Sequence, residues 1–484
     1  MESTLAEKPL LEVKDFSLSF RRYEKGLRET RLDVIRQLNM TIHIGEVVAV
    51  VGASGSGKSI LANAILGILP ENVLLDGSLK YRGETLTPKK QQQLRGKKIS
   101  LIPQSVNALN PLMKTGKQVQ SVILSGDRKL IQQTIFEKVG LPAETGNKYP
   151  FELSGGMARR VMAATAMVSG ADLIIADEPT PGLDPKVLQE TVDNLQQLAL
   201  DGKGIMFITH DIDTALKFAD RVVVFREGKT VEIANVEAFK GKGERLNHSY
   251  TKQLWNALPQ NQFIKDFNVA NVLPTPVVSP QKMLDVKGIS FHYGKESHLF
   301  KDLDLTVAAG EIVGLHGYSG SGKSTMAQII AGYLKSETGL VTVDGKSDLD
   351  SKIQPVQLIW QHPEKAINPR WRMKKVLAES GMSDSGLLEE LNIRQEWLSR
   401  WPSELSGGEL QRFCVARALN ENTKYLIADE MTTMLDTITQ AHLWKTILRL
   451  AAKRGIGVLA ISHDYQLLKQ VSNRIINFNE ITNV

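Results

Sequence analysis

The sequence predicts an α/β protein built twice over, each copy with a mixed or parallel sheet at its core, and three observations predict it. The first is the stretch Gly52-Ala53-Ser54-Gly55-Ser56-Gly57-Lys58-Ser59, a G-x-x-x-x-G-K-[ST] loop. It follows the apolar run Val47–Val51, which reads as a buried strand, and precedes Ile60–Leu66, which reads as the opening of a helix. The second is the recurrence of that arrangement as Gly317-Tyr318-Ser319-Gly320-Ser321-Gly322-Lys323-Ser324, between Ile312–Leu315 and Thr325–Ile330. The third is the spacing. Lys58 and Lys323 stand 265 residues apart, a doubled domain rather than a solenoid, whose units run to about 20–50 residues.

Strand, glycine loop and helix are the context in which such a loop holds a polyphosphate. Glycines let backbone N–H groups curl around the anion, and the helix N-terminus adds positive potential. Lys58 is placed to reach the β/γ-phosphates and Ser59 to ligate Mg²⁺.

The bulk numbers set the class. With 484 residues there is room for two or three domains, and 42% apolar with 23% charged residues is ordinary globular composition. A single cysteine, Cys414, excludes an internal disulfide and a four-cysteine cluster. The start of the chain carries no basic-then-apolar signal, and no apolar run approaches the 18 or so residues of a membrane helix. The expectation is therefore a cytosolic type of protein, associated with a membrane only through partners. The net charge of +6 is spread along the chain. No basic stripe marks a nucleic-acid surface, so no nucleic-acid partner is expected.

Taken in order, Val13–Phe20 alternates as a strand does, and a charged insert, Arg21 to Arg31, interrupts before the next strands. The same opening recurs at Val286–Tyr293, with Tyr293 opposite Phe20 in register. An aromatic there either stacks on a nucleotide base or closes the core at a strand end. Lys98–Gln104 and Val356–Gln361 are strands that end on a glutamine, where a parallel sheet opens its ligand crevice. Asn-Pro turns follow at Asn110-Pro111 and Asn368-Pro369, and helical periodicity returns at Lys129–Val139.

Ser154-Gly155-Gly156 and Ser406-Gly407-Gly408 each open a helix, Met157–Val168 and Glu409–Leu419. A serine with two glycines can be a simple cap or a second anion-binding surface. The spacing decides: Asp177-Glu178 and Asp429-Glu430 follow the two serines by the same 23 residues, each pair at the end of an apolar strand. Charges at a strand end need a partner. Beside a phosphate loop, the first carboxylate serves the Mg²⁺ shell and the second can orient and deprotonate water. Asp184 and Asp436 come seven residues after those aspartates, and His210 and His463 end one further strand in each half. The other seven histidines lack such pairing and read as surface or core residues.

This ordered set resembles the nucleotide-binding domains of ABC transporters, with Walker A, Q-loop, LSGG signature, Walker B, D-loop and H-loop in sequence. The resemblance covers residues 11–230 and 284–478. It is closer to ATPase subunits of the oligopeptide, dipeptide and nickel importers, on Leu109-Asn110-Pro111, on Tyr149–Leu153 and on His248–Pro259, which looks like that family's HPYT…LP tail. The resemblance implies two P-loop NTPase domains, each with a helical signature subdomain, over 1–240 and 282–484, joined by a tail and a proline-punctuated linker over 241–281. It implies ATP and Mg²⁺ as cofactors. It assigns ATP contacts to Phe20, Gly52, Ser54, Gly55, Gly57, Lys58, Ser59 and Ile60, and to Tyr293, Gly317, Ser319, Gly320, Gly322, Lys323, Ser324 and Thr325. It places Mg²⁺ at Ser59, Gln104 and Asp177, and at Ser324, Gln361 and Asp429. Catalysis falls to Glu178 with His210 and to Glu430 with His463.

Such domains pair head to tail, so the two halves of this chain would pair with each other, Lys58 facing Ser406, Gly407 and Gly408, and Lys323 facing Ser154, Gly155 and Gly156. The partners implied are two hydrophobic permeases and an extracytoplasmic solute-binding protein, with the chain peripheral on the cytoplasmic face of the inner or plasma membrane. Rival readings are a vitamin-type energy-coupling ATPase, a doubled ABC ATPase acting on ribosomes, and a non-catalytic nucleotide sensor. Some members carry an iron–sulfur cluster in the tail; this tail has no cysteine, so none is expected. Departures from the pattern are Met157 and Glu409 where a glutamine is usual, Met431 where the first half has Pro179, and no HPYT-like stretch after His463. The expectation is two somewhat unequal sites that both hydrolyse.

Overall fold

A computed structural model describes residues 8–24, 28–53, 55–180, 185–264, 282–294, 298–318, 320–347, 354–381, 385–433 and 435–482. Asp184 and the linker stretch 265–281, with Pro274, Pro276 and Pro280, lie outside the described residues. The chain divides into two compact units, Met1–Trp255 and Asn256–Val484.

The first unit has two sheets. One is antiparallel, in the order β2-β1-β4-β5, from β1 (Leu11–Glu24), β2 (Arg28–Ile42), β4 (Val73–Tyr81) and β5 (Glu84–Thr85). The other is the core sheet, in the order β10-β9-β3-β8-β7-β6. Its strands are β3 (Val47–Gly52), β6 (Ile99–Ile102), β7 (Leu173–Asp177), β8 (Gly204–Thr209), β9 (Arg221–Arg226) and β10 (Lys229–Asn235). All of its pairings are parallel except that of β10 with β9. The central strands β3, β7 and β8 are buried at every position, which explains their unbroken apolar runs: helices cover both faces of a parallel sheet.

The second unit repeats the plan. An antiparallel sheet, β12-β11-β14, is built from β11 (Met283–Phe291), β12 (Phe300–Ala308) and β14 (Thr338–Val343). A parallel sheet, β15-β16-β17-β13-β18, comes from β13 (Ile312–His316), β15 (Val356–Ile359), β16 (Tyr425–Asp429), β17 (Gly457–Ser462) and β18 (Arg474–Asn477).

One expectation changes. The charged insert does not interrupt the first sheet; it lengthens it. Among the described residues strands β1 and β2 pair along it as far as Glu24 and Arg28, with Arg21 opposite Arg31 and Arg22 opposite Thr30. Ion pairs line the ribbon, Arg31 to Asp33 at 3.0 Å and Arg21 to Glu29 at 3.8 Å. Exposed strands need no apolar pattern when the ladder satisfies the backbone; the like-charged pair Arg21–Arg31 is offset by Glu29 and Asp33 beside it.

The tail is folded onto the first unit. Glu232 on β10 accepts the N–H groups of Asn247 (2.7 Å) and His248 (3.0 Å), which fixes the start of the helix Ser249–Asn256. The Arg226 guanidinium lies 4.9 Å from the Tyr250 ring centre, and Trp255 meets Phe239 edge to face at 6.1 Å. Further on, Phe263 and Ile264 are buried in the core of the second unit, with Phe413, Leu443 and Trp444.

Candidate functional site

In the first unit the loop leaves the carboxyl end of β3 and runs into the helix Lys58–Leu66. Gly57 is left-handed at φ 99°, which glycine adopts without strain and which turns the loop into the helix. Gly52 has a different reason: an added Cβ would lie 2.3 Å from the Phe225 carbonyl oxygen on β9. Lys58 Nζ donates to the carbonyls of Gly52 (2.7 Å) and Ala53 (3.0 Å), so the buried ammonium closes the loop on itself. In the second unit Gly322 has φ 107°, and Lys323 Nζ donates to Gly317 (2.8 Å) and Tyr318 (2.6 Å). Burial holds the Lys323 ammonium below its usual pKa, against the opposing pull of Glu430 and Asp429.

The parallel register brings the carboxylates to the same edge. Asp177 ends β7 and stands level with Ile208 on β8, two residues before His210. Ser59 Oγ donates to Asp177 Oδ1 at 3.0 Å. Burial pushes the Asp177 carboxyl up, opposed by the Ser59 hydroxyl. In the second unit burial pushes Asp429 up to about 6, again opposed by the hydroxyl of Ser324.

Both glutamates sit in the left-handed region, Glu178 at φ 48° and Glu430 at φ 44°. That conformation is costly for a side chain with a Cβ. It is held by the neighbouring strand, since Glu178 N–H donates to Ile208 (2.9 Å) and Glu430 N–H to Ile461 (3.0 Å). The result throws each glutamate off the strand axis toward the histidine. His210 Nδ1 is 2.7 Å from Glu178 Oε2. His463 Nδ1 is 3.5 Å from Glu430 Oε1, and Gln361 Nε2 donates to Glu430 Oε2 at 2.9 Å. Burial would raise Glu430, but the nearby His463, Lys323 and His362 bring it below the ordinary range; Glu430 in turn raises His463.

Other expected residues are placed less closely. Gln104 lies just past β6, exposed, and makes no hydrogen bond to Glu178. Phe20 packs, half-buried, on the first unit's core. Tyr293 is 54% exposed, and its hydroxyl is 3.1 Å from Thr325 Oγ1 on the loop helix. Ile60 is half-buried beside Ser59, Gly55 and Gly320 are left-handed, and Ser54 and Ser319 lie outside the described residues.

Ser154 and Ser406 cap the helices Gly155–Val168 and Gly407–Ala418. Gly155 and Gly407 are exposed at the first turn, with Gly156 and Gly408 half-buried behind them. Among the described residues none of these six hydrogen-bonds to the phosphate loop or to the Asp177–Glu178 or Asp429–Glu430 pair of its own unit. A contact not visible in the motif is that of Glu409, whose Oε2 accepts from Ser406 N–H (2.8 Å) and Ser406 Oγ (2.9 Å). The S-x-x-E spacing of a capping box was its signal.

Buried atoms without partners test the fit of a magnesium nucleotide. Ser56 Oγ and Ser321 Oγ in the two loops are buried and unbonded, as is Asp429 Oδ1. Hydroxyls turned into a glycine loop suit phosphate oxygens, and an orphaned carboxylate oxygen suits a hard cation. The residues fit both groups.

The sequence pattern of the ABC transporter family matches residues 35–181 and 300–433. The chain is 30% identical to the glutathione import ATP-binding protein GsiA of Salmonella paratyphi A, over 97% of this chain and 85% of that protein. It is 31% identical to the uncharacterized ABC transporter ATP-binding protein YejF of Escherichia coli K12, over 96% and 93%. It is also 31% identical to the peptidoglycan transport ATP-binding protein YejF of Agrobacterium fabrum, over 97% and 90%. Among solved structures, an RNase-L inhibitor superposes with a TM-score of 0.62 at 20% identity, over 96% of this chain and 87% of its own. That likeness is one of fold. Matched in both halves and along nearly its full length, the chain belongs to the ABC transporter family, as a tandem ATP-binding protein.

Proposed function

We propose that the chain is the ATP-hydrolysing motor of a membrane importer for peptide-type solutes. The observation that carries the reading is the twofold occurrence of a lysine-closed loop, a buried aspartate and a strained glutamate held against histidine, on a chain similar to import ATP-binding proteins. Ser59, Asp177 and Gln104 would hold Mg²⁺ in the first half, and Ser324, Asp429 and Gln361 in the second. The ion, when bound, neutralises charge on the transferring phosphoryl group.

Lys58 and Lys323 leave the loop carbonyls to meet phosphate oxygens. Glu178 and Glu430 orient water and take its proton, while His210 and His463 hold the glutamates in place. Ser154 and Ser406, at their helix starts, complete the site of the opposite half. The pairing of halves is then the closing stroke, delivered to two hydrophobic permeases on the cytoplasmic face of the membrane. A solute-binding protein outside would choose the cargo.

The test is co-purification with the two permeases, followed by reconstitution with the binding protein. Glutathione or a short peptide should raise ATP turnover several-fold. A chain that binds no permease and whose ATP turnover rises instead with ribosomes would overturn the reading.

A further inference from the structure

In the second half a short chain of hydrogen bonds joins the catalytic glutamate to the signature helix. Strands β15 and β16 run parallel with Ile359 level with Ala428, so Gln361 and Glu430, each two residues further on, come level past the strand ends. Gln361 Nε2 donates to Glu430 Oε2 at 2.9 Å. The carbonyl of the preceding residue, Trp360, accepts from Gln411 Nε2 at 3.2 Å. Gln411 lies on the helix Gly407–Ala418, five residues after its cap, Ser406.

Packing does not account for that amide. Gln411 is 2% exposed, and its Oε1 is buried with no hydrogen-bond partner among the described residues. A buried amide with one end unmet is costly, and a methionine of nearly the same length would fill the place without that cost. What the amide adds is a grip on the Trp360 carbonyl. The peptide unit is planar, so turning that carbonyl turns the bond into Gln361 and shifts the side chain that meets Glu430. The Trp360 ring is steadied separately, edge to face with Tyr333 at 5.3 Å.

The first half lacks the same chain. Arg159 stands five residues after Ser154, with donors only where Gln411 has both a donor and an acceptor, and Pro103 stands before Gln104. Gln104 is exposed, and the described contact of Glu178 is with His210.

We propose that Gln411 is a positioning residue for hydrolysis at the second site: through the Trp360 carbonyl it sets the Gln361 amide against Glu430. The glutamate is thereby tied to a helix whose start, Ser406, serves the first site. The inference rests on the pairing of halves proposed above. Ser406 and Gln411 are about 7.5 Å apart along one rigid helix, so a shift at the first nucleotide reaches the second glutamate. Coupling by this route runs from the first site to the second and not back.

The test measures turnover of the full chain in two backgrounds, Glu178→Gln, which leaves the second site to act, and Glu430→Gln, which leaves the first. In the Glu178→Gln background, Gln411→Met should lower kcat about tenfold with little change in KM, and the shorter amide of Gln411→Asn should do the same. Adding Gln411→Met to Gln361→Met should cost nothing more, because one acts through the other. In the Glu430→Gln background Gln411→Met should leave turnover unchanged, whereas a merely structural disturbance of the signature helix would lower it. Hydrogen exchange of the nucleotide-free chain reads the same tie without hydrolysis: amides of residues 360–362 should lose protection in Gln411→Met, while those of Gly407–Ala418 keep it. Unchanged second-site turnover, equal losses in both backgrounds, or unaltered exchange at 360–362 would overturn the proposal and leave the motor reading standing. A wild-type chain without ATP turnover would overturn both.

Discussion

Glu178 Oε2 lies 2.7 Å from His210 Nδ1, whereas the corresponding Glu430 has its shortest side-chain contact with Gln361, at 2.9 Å, and His463 stands 3.5 Å away. The two halves thus hold the same glutamate by different neighbours. His210→Ala should therefore reduce ATP turnover more than His463→Ala, and Gln361→Ala should cost more than Gln104→Ala. Steady-state phosphate release from the four variants decides it.

On the proposed mechanism both glutamates take a proton from water, so each should contribute. Glu178→Gln and Glu430→Gln should each lower turnover, and the double variant should lose about 10²-fold or more. If Glu178→Gln alone abolished turnover and Glu430→Gln left it unchanged, hydrolysis at the second position would have to be given up.

Glu409 places a carboxylate on the hydroxyl and N–H of Ser406. It puts a negative charge at the helix start proposed to meet phosphate, and so would compete with it. Glu409→Gln should lower the KM for ATP several-fold with little change in melting temperature. Met157→Gln in the other signature, where no carboxylate is removed, should have the smaller effect.

Asp429 is raised to about 6 by burial, with Oδ1 unbonded. A carboxyl raised in the fold is a penalty on the charged form. The penalty is absent below the unfolded value near 3.8, grows as pH rises toward 6, and is complete above it. Asp429→Asn should thus stabilise the second unit above pH 6 by about 1–3 kcal/mol in the absence of Mg²⁺, while Mg²⁺-dependent nucleotide binding falls. Thermal melts at pH 5 and 7.5, with and without Mg²⁺, measure both halves of the trade.

Glu232 works in the opposite sense. Burial pushes its carboxyl up, but the N–H groups of Asn247 and His248 bring it below its ordinary 4.5. Its hold on the tail is present above that value and is lost as pH falls through the depressed one. Glu232→Gln should lower the protection factors of the Asn247 and His248 amides at pH 7, and acidification of the wild type through the depressed value should do the same.

Much of this protein was legible in its residues in order. A loop such as Gly52–Ser59 is local chemistry: its glycines, lysine and serine act over eight neighbouring positions, and the apolar runs on either side declare the strand and helix that frame it. The second copy and the shared 23-residue interval from Ser154 to Asp177 and from Ser406 to Asp429 then made the motifs mutually informative. That is why the two α/β domains and the family could be argued before any coordinates.

What tertiary structure alone decided are contacts between side chains distant in sequence. Gln361 reaches Glu430 across 69 residues, and Glu337 meets His292 and His298 only because three strands end side by side. No periodicity announces such meetings, since strand order and register set them. The charged Arg21–Arg31 stretch was misjudged for a related reason: in an exposed ribbon the backbone ladder supplies the pairing, and the apolar pattern that betrays a strand is not required.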